Sequence, residues 1–290
     1  PAGQPFLYTV PGSTISFRAR TLAPRGRKIR FAVFGDMGEG REAQWKTARQ
    51  LERWNPDFVL AAGDIVYPKG HDKDYDDNYF RPYARLLPRI PFFPAIGNHD
   101  YGYTKREKAE KRFRKHYSRI HHRPKYYSFD AGEAHFVSLD SNLQGYGVKA
   151  AESLGPGSPQ FKWLEHDLAS SKARWKIVFL HVPLYASGWH GNNKNLIRAL
   201  APLFSRHGVD IVFQGHNHHY ERSRPIDGVV YIVAGSGGAE LYRRWRWHRW
   251  SEKFIKDHGF VGVALDTESL SFEFVDADGA VRDQSKIHKK

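Results

Sequence analysis

Ile29-Arg30-Phe31-Ala32-Val33-Phe34-Gly35 reads as a buried strand, and the chain leaves it through Asp36-Met37-Gly38 into Glu39 to Trp54, a segment of helical length. The same pattern recurs along the chain. Asp57 to Ala62 is a short apolar run ending at Gly63, and Phe92 to Ile96, bounded by prolines, ends at Gly97. Trp175 to Leu180 ends at His181, and Val209 to Gln214 ends at Gly215. Apolar runs separated by helix-length polar segments predict βαβ units and a largely parallel sheet. Ligands in open α/β sheets collect beyond the carboxyl ends of the strands, where each of these runs stops.

From about Tyr126 the texture changes. Tyr126–Asp130 and Glu133–Asp140 predict a hairpin around Ala131-Gly132. Val229–Ala234, Gly262–Asp266 and Ser271–Val275 read as antiparallel strands, with Asp278-Gly279 as a turn signal. The expected fold is α/β, with two mixed β-sheets packed face to face and helices outside. Before the first buried strand, Phe6–Val10 and Thr14–Ala19 alternate like strands, so the chain divides into an N-terminal strand segment, 1–28, and a catalytic domain, 29–290.

Composition narrows the chemistry. At 290 residues with 40% apolar content, the chain can bury one sizeable catalytic core. Its apolar runs are strand-sized, which leaves no transmembrane helix, and no N-terminal stretch has the layout of a secretory signal. A trimmed start at Pro1 stays open. The absence of cysteine excludes disulfides and thiolate sites, so a metal must be held by Asp, Asn, His and Tyr. A formal charge of +14 favours anionic partners. Small phosphorylated substrates suit that charge better than nucleic acid, because the basic residues are scattered rather than gathered in one module. The oligomeric state is not legible.

Five motifs carry the polar residues at the strand ends: Gly35-Asp36-Met37-Gly38, Gly63-Asp64-Ile65-Val66-Tyr67, Gly97-Asn98-His99-Asp100, His181, and Gly215-His216-Asn217-His218. A strand-terminal Asp on its own is as often a helix cap. Two carboxylates, an amide oxygen and three imidazoles in this order are harder to explain that way, because a carboxylate can bridge two cations about 3.5–4 Å apart. His216 and His218 share a face in extended backbone, while His219 points elsewhere and reads as structural or as a support for the ligands. Glu221 and Arg222 are candidate orienters of the imidazoles, Arg222 equally a solvated surface residue.

This set resembles the calcineurin-like metallophosphoesterases over nearly all of residues 29–290, and within them the purple acid phosphatases. The first motif ends in Gly38, where most relatives carry a ligating His, and Tyr67 follows the bridging Asp64 by three residues. The resemblance implies a four-layer αββα sandwich. It implies Fe(III) held by Asp36, Asp64, Tyr67 and His218. It also implies a divalent Fe, Zn or Mn ion held by Asp64, Asn98, His181 and His216. Phenolate, a hard anionic donor, suits Fe(III). The activity implied is hydrolysis of phosphate monoesters by a metal-bound hydroxide, with His99 and His190 as catalytic or phosphate-contacting residues. Phosphodiester or cyclic-nucleotide hydrolysis is the alternative enzyme reading, and a polyanion binder on the same scaffold is the non-enzymatic one. The family implies a secreted or periplasmic protein. It also likens residues 1–28 to the last strands of the small β-sandwich in two-domain members, or to strands padding the catalytic sheet.

Other segments stay open. Trp189 and Tyr185 either wall the pocket or pack. Arg243-Arg244-Trp245-Arg246-Trp247-His248-Arg249-Trp250 reads as a pocket rim or dimer contact, a packed loop, or a nucleic-acid or membrane surface. Lys105 to Arg123 reads as a solvated amphipathic helix with Phe113 and Tyr117 on its apolar face. Asp72, Asp74, Asp76 and Asp77 lack calcium-loop spacing and read as a solvated loop or helix start.

Overall fold

The computed structural model describes residues 2–10, 12, 14–102, 111, 113–142 and 154–289. Its strands are, in chain order, β1 (Pro5–Thr9), β2 (Ser16–Arg20), β3 (Ile29–Phe34), β4 (Phe58–Ala61) and β5 (Phe92–Pro94). There follow β6 (Tyr127–Ala131), β7 (Ala134–Leu139), β8 (Trp175–Leu180), β9 (Ile211–Gln214) and β10 (Tyr220–Ser223). The last are β11 (Val230–Ala234), β12 (Ser251–Ile255), β13 (Gly259–Leu265), β14 (Ser269–Asp276) and β15 (Val281–His288). They form a six-stranded sheet in the order β15-β14-β13-β3-β4-β5 and a seven-stranded sheet in the order β12-β10-β11-β9-β8-β7-β6. Both are mixed: β3, β4 and β5 run parallel, as do β7, β8, β9 and β11, while the flanking strands are antiparallel.

Side-chain alternation explains why the sheets face each other. In β3, Ile29, Phe31 and Val33 enter the core between the sheets, while Ala32 and Phe34 enter a second core on the outer face. In β8, Trp175, Ile177 and Phe179 point inward, and Val178 and Leu180 point to a third core. Phe31 meets Phe136 of β7 edge-on at 5.2 Å across the interface. Each fully buried aromatic of this kind contributes about 1.5–3 kcal/mol. Helices close the outer faces: Glu42–Trp54 over the six-stranded sheet, and Pro159–Ser170 and Lys194–Arg206 over the seven-stranded one. The four layers are helix, sheet, sheet, helix, as the resemblance implied.

Some expectations change. Val230–Ala234 is antiparallel to β10 but parallel to β9, because its outer neighbour returns through a tight loop and its inner one through a crossover. The helix expected over Lys105–Arg123 lies partly on residues 105–110 and 112, outside the described residues. Within them, Phe113–Tyr117 is a wide helical turn continued by Ser118–His121, and Phe113 and Tyr117 are buried as expected. Asp72 and Asp74 begin a short helix, Asp72–Tyr75, in line with the helix-start reading. β1 and β2 form a hairpin of their own, which touches the rest of the chain where the Tyr8 hydroxyl donates to the Pro88 carbonyl (2.8 Å).

Candidate metal centre

Five strand ends from two sheets converge. Asp36, Asp64 and Asn98 follow β3, β4 and β5 of the six-stranded sheet, and His181 and His216 follow β8 and β9 of the seven-stranded one. Backbone bonds lock the loops together: Asp36 N–H donates to Gly63 O (3.0 Å), Met37 N–H to Asp64 O (3.2 Å) and Gly215 N–H to His181 O (2.9 Å). Turning each carboxylate or imidazole inward requires left-handed backbone at Asp36 (φ 55°), Asp64 (φ 51°) and His216 (φ 67°). Such conformations cost on the order of 1 kcal/mol or more each and gather at functional sites.

Gly38 has no room for a side chain. A Cβ there would sit 1.9 Å from the Ile65 carbonyl oxygen, and the Gly38 carbonyl accepts the Tyr67 N–H at 2.8 Å. The tight pairing that carries Tyr67 into the site is what leaves no space for a histidine in the first motif.

Two groups of donor atoms share one carboxylate oxygen. The Tyr67 hydroxyl oxygen lies 3.2 Å from Asp36 Oδ1, 3.1 Å from Asp64 Oδ2 and 3.2 Å from His218 Nε2. His218 Nε2 is 3.3 Å from Asp36 Oδ1. On the other side, His181 Nε2 lies 3.3 Å from the same Asp64 Oδ2 and 2.9 Å from Asn98 Oδ1. Asp64, His181 and His216 each offer a ligating atom within 4.8 Å of the others. All seven expected donors are therefore brought together, and all are buried.

The outer atom of each group is already engaged. Asp36 Oδ2 accepts the His216 N–H (2.8 Å), and Asp64 Oδ1 accepts the His99 N–H (2.8 Å). His181 Nδ1 donates to Ala62 O (2.8 Å) and His218 Nδ1 to Glu240 O (2.7 Å). With Nδ1 holding a proton, the Nε2 of each imidazole faces oxygen acceptors and needs a second proton or a cation between them. Donor separations of 2.9–3.3 Å match the edges of a coordination polyhedron with bonds of about 2.0–2.2 Å. The residues fit a pair of cations.

The protein's own field has the same character. Burial pushes the Asp64 carboxyl up, but the imidazoles of His181 and His99 outweigh it and hold the group well below the usual carboxylate range. Burial lowers His181, yet the carboxylates of Asp64 and Asp36 bring it up to about 9. Burial and those carboxylates push the Tyr67 phenol well up, a direction that a bound cation reverses.

His99 and His190 stand on either side of the donors. His99 Nδ1 donates to Pro68 O (2.7 Å), its ring lies 4.3 Å from that of Tyr67, and its Nε2 is 3.9 Å from Asp64 Oδ2. His190 stacks on His216 at 4.0 Å, and its N–H donates to Asn217 Oδ1 (3.1 Å). Burial and neighbouring His218 bring His190 down to about 4. Tyr185 packs on Tyr231 and Trp250, whereas Trp189 is exposed against Trp245.

Glu221 is buried and accepts from Ser187 N–H (2.7 Å), Ser187 Oγ, Ser251 Oγ and His219, so it braces the loop before His190 rather than a candidate ligand. Arg222 is neither an orienter nor a solvated residue. It pairs with Asp283 of β15 (2.8 and 3.1 Å) and ties the two sheets together. Two contributors escaped the sequence reading. Asp100 accepts the N–H groups of Ile65 (2.9 Å) and Gly97 (2.8 Å), and Tyr242 stacks on His218 at 4.1 Å.

Comparison with known proteins places this arrangement. The model of the calcineurin-like phosphoesterases matches residues 29–220, and that of the iron/zinc purple acid phosphatase-like protein C matches residues 228–284. The chain is a purple acid phosphatase-like member of the calcineurin-like phosphoesterases. Purple acid phosphatase 21 of Arabidopsis thaliana is 31% identical over 254 residues, which cover 80% of this chain and 55% of that protein. Tartrate-resistant acid phosphatase type 5 of Rattus norvegicus is 27% identical over 291 residues, covering 87% and 88%. A purple acid phosphatase from yellow lupin (Lupinus luteus) seeds shares the fold, with a TM-score of 0.79 at 22% identity over 94% of this chain and 56% of the lupin one. The chain thus spans about half the length of the Arabidopsis and lupin relatives. The description of the C-terminal family model, an iron/zinc protein, is in keeping with the donor set assembled here. Among the described residues, no helix is long and apolar enough to cross a membrane.

Proposed function

We propose that this chain is a binuclear metal-dependent phosphatase that hydrolyses small phosphate monoesters. The observation that carries the reading is the sharing of Asp64 Oδ2 between the Tyr67 group (3.1 Å) and the His181 group (3.3 Å). Asp36, Asp64, Tyr67 and His218 would hold Fe(III), and Asp64, Asn98, His181 and His216 a divalent Fe, Zn or Mn ion. Once bound, such a pair supplies an activated water and neutralises charge on the phosphoryl oxygens. His99, hinged on Pro68 at the edge of the donors, binds the phosphate and delivers a proton to the departing alkoxide. His190, stacked on His216, contacts the phosphate from the opposite side. Residues 29–290 form the catalytic domain and 1–28 an accessory strand segment. A secreted or periplasmic setting is part of the same proposal and rests on the family resemblance alone.

The test is phosphate release from matched mono- and diesters by purified protein loaded with iron and zinc, beside Asp64→Asn. Turnover of the monoester, lost by roughly 10³-fold or more with metal content in the variant, supports the reading. Preference for the diester would put the phosphodiesterase reading first. Full turnover by Asp64→Asn would remove the bridge assignment.

A further inference from the structure

From Leu241 to Trp250 the chain carries four arginines, three tryptophans and no acidic residue. The backbone of this segment is tied down along its length. Tyr242 N–H donates to the His218 carbonyl (2.8 Å), Trp245 and Arg246 N–H both to the Ser187 carbonyl (2.9 and 3.1 Å), and Arg224 N–H to the Trp250 carbonyl (2.8 Å). Ser187 is itself clamped by buried Glu221. So fixed, the segment holds indoles in water. Trp247 is 83% and Trp245 57% exposed, and Trp189, 59% exposed, meets Trp245 edge to face at 4.8 Å. Arg243, Arg246 and Arg249 are exposed beside them, and Arg244 lies over the Trp247 ring at 3.9 Å. None of the four guanidinium groups pairs with a described carboxylate.

Large apolar rings gathered on a surface mark a place that a partner covers. We propose that Trp189, Trp245 and Trp247, with Arg243, Arg246 and Arg249, form a docking surface for an anionic lipid bilayer. An indole suits the boundary of a bilayer, since its apolar body enters the acyl region while its N–H stays at headgroup level. Arginine does the same with its stem and its guanidinium, which hydrogen-bonds lipid phosphates. The formal charge of +14 adds long-range attraction to an anionic surface. Because the backbone is already pinned, docking orders little that was free.

Charge and geometry disfavour the other occupants. A second copy placed symmetrically on this face would set the guanidinium groups against their own kind, with no acid from the segment between them. A row of stacked bases needs open ring faces. Here Arg244 covers one face of Trp247, and Trp189 and Trp245 close on each other. The surface adjoins the metal centre, since Trp189 precedes His190 and Tyr242 stacks on His218 at 4.1 Å. Docking therefore turns that edge of the centre toward the headgroups. The inference stands on these surface residues and does not rest on the phosphatase reading.

The experiment sediments the metal-loaded protein with vesicles of phosphatidylcholine alone and of phosphatidylcholine mixed with phosphatidylserine, and follows indole emission as they bind. The wild type is expected to partition onto the mixed vesicles, with a blue-shifted emission, and to bind the neutral ones far more weakly. Trp247→Ala and Trp245→Ala should each cut partitioning by roughly 10-fold, with an unchanged melting temperature. Arg243→Gln and Arg249→Gln should each cut it by about 5-fold and flatten its salt dependence. Absence of vesicle binding by the wild type, or equal binding by all four variants, would overturn the proposal. Oligonucleotide binding lost in the same variants, without vesicle binding, would overturn it in favour of nucleic acid. Self-association in sedimentation velocity that the Trp variants abolish, again without vesicle binding, would overturn it in favour of a second copy of this chain.

Discussion

The phenol oxygen of Tyr67 lies 3.1 Å from Asp64 Oδ2, the same carboxylate oxygen that stands 3.3 Å from His181 Nε2. A single atom therefore belongs to both halves of the centre, and the phenol marks one half. If that half holds Fe(III), air-oxidised protein absorbs in the visible through a phenolate-to-iron transition. Tyr67→Phe should abolish the band while leaving the far-ultraviolet circular dichroism intact. Persistence of the band in the variant would assign it to another group.

Asp100 joins two strand-end loops rather than facing the donors. Each of its oxygens accepts one buried N–H, from Ile65 and from Gly97. Asp100→Ala strands both amides, at a cost of about 2–4 kcal/mol, and should lower Tm by roughly 4–10 °C. Metal affinity should fall about 10- to 100-fold, as for other residues that orient ligands. Calorimetry and metal titration measure the two effects separately; an unchanged Tm would refute the bracing role.

His135 is set between Asp130 (2.7 Å) and Asp167 (2.8 Å), joining β6 and β7 to the Pro159–Ser170 helix, with Ser128 also on Asp167. Burial works to lower its pKa, but the hydrogen bonds to Asp167 and Asp130 outweigh it, and the net shift is upward. The folded state thus favours the charged imidazolium. That contribution is fully present below the unfolded value near 6.5 and is lost as pH rises through the higher folded one. Chemical denaturation from pH 5 to 9 should show stability falling over this window, and His135→Gln should flatten the fall.

Arg222 and Asp283 form a mostly buried pair, to which the Tyr220 hydroxyl also donates (2.8 Å). Arg222→Ala leaves the carboxylate with one partner and should destabilise by about 3–5 kcal/mol. Arg222→Met with Asp283→Leu should recover most of that loss in urea unfolding, since removing both charges removes the unpaired one. A double variant no more stable than Arg222→Ala would show that packing, not charge, governs the position.

The parallel strands were legible because both their faces are buried, so β3, β4 and β8 appear as apolar runs, interrupted only by Arg30 and Lys176 at their second positions. The edges were not. β12 carries Glu252 and Lys253, and β15 alternates exposed and half-buried polar residues, because an edge strand has no second core to fill. β10 was hidden behind the histidine motif that precedes it. The donors were legible because each directly follows an apolar run. Tyr242 was not, because its contact with His218 crosses an irregular loop, and Asp100 acts on amides whose position only the folded loops define.

The donors come from both sheets, so the contacts of His181, His216 and His218 with Asp36, Asp64 and Asn98 do not exist until the sheets have docked. The bond from His216 N–H to Asp36 Oδ2 closes a sequence separation of 180 residues. Contacts of that range are among the slowest for a chain to secure, because the loop must close before anything rewards it. Metal capture then becomes a checkpoint late in folding. A nascent or partly opened chain would offer the carboxylates and the imidazoles on separate halves, and an ion would be retained only by molecules whose halves have already met.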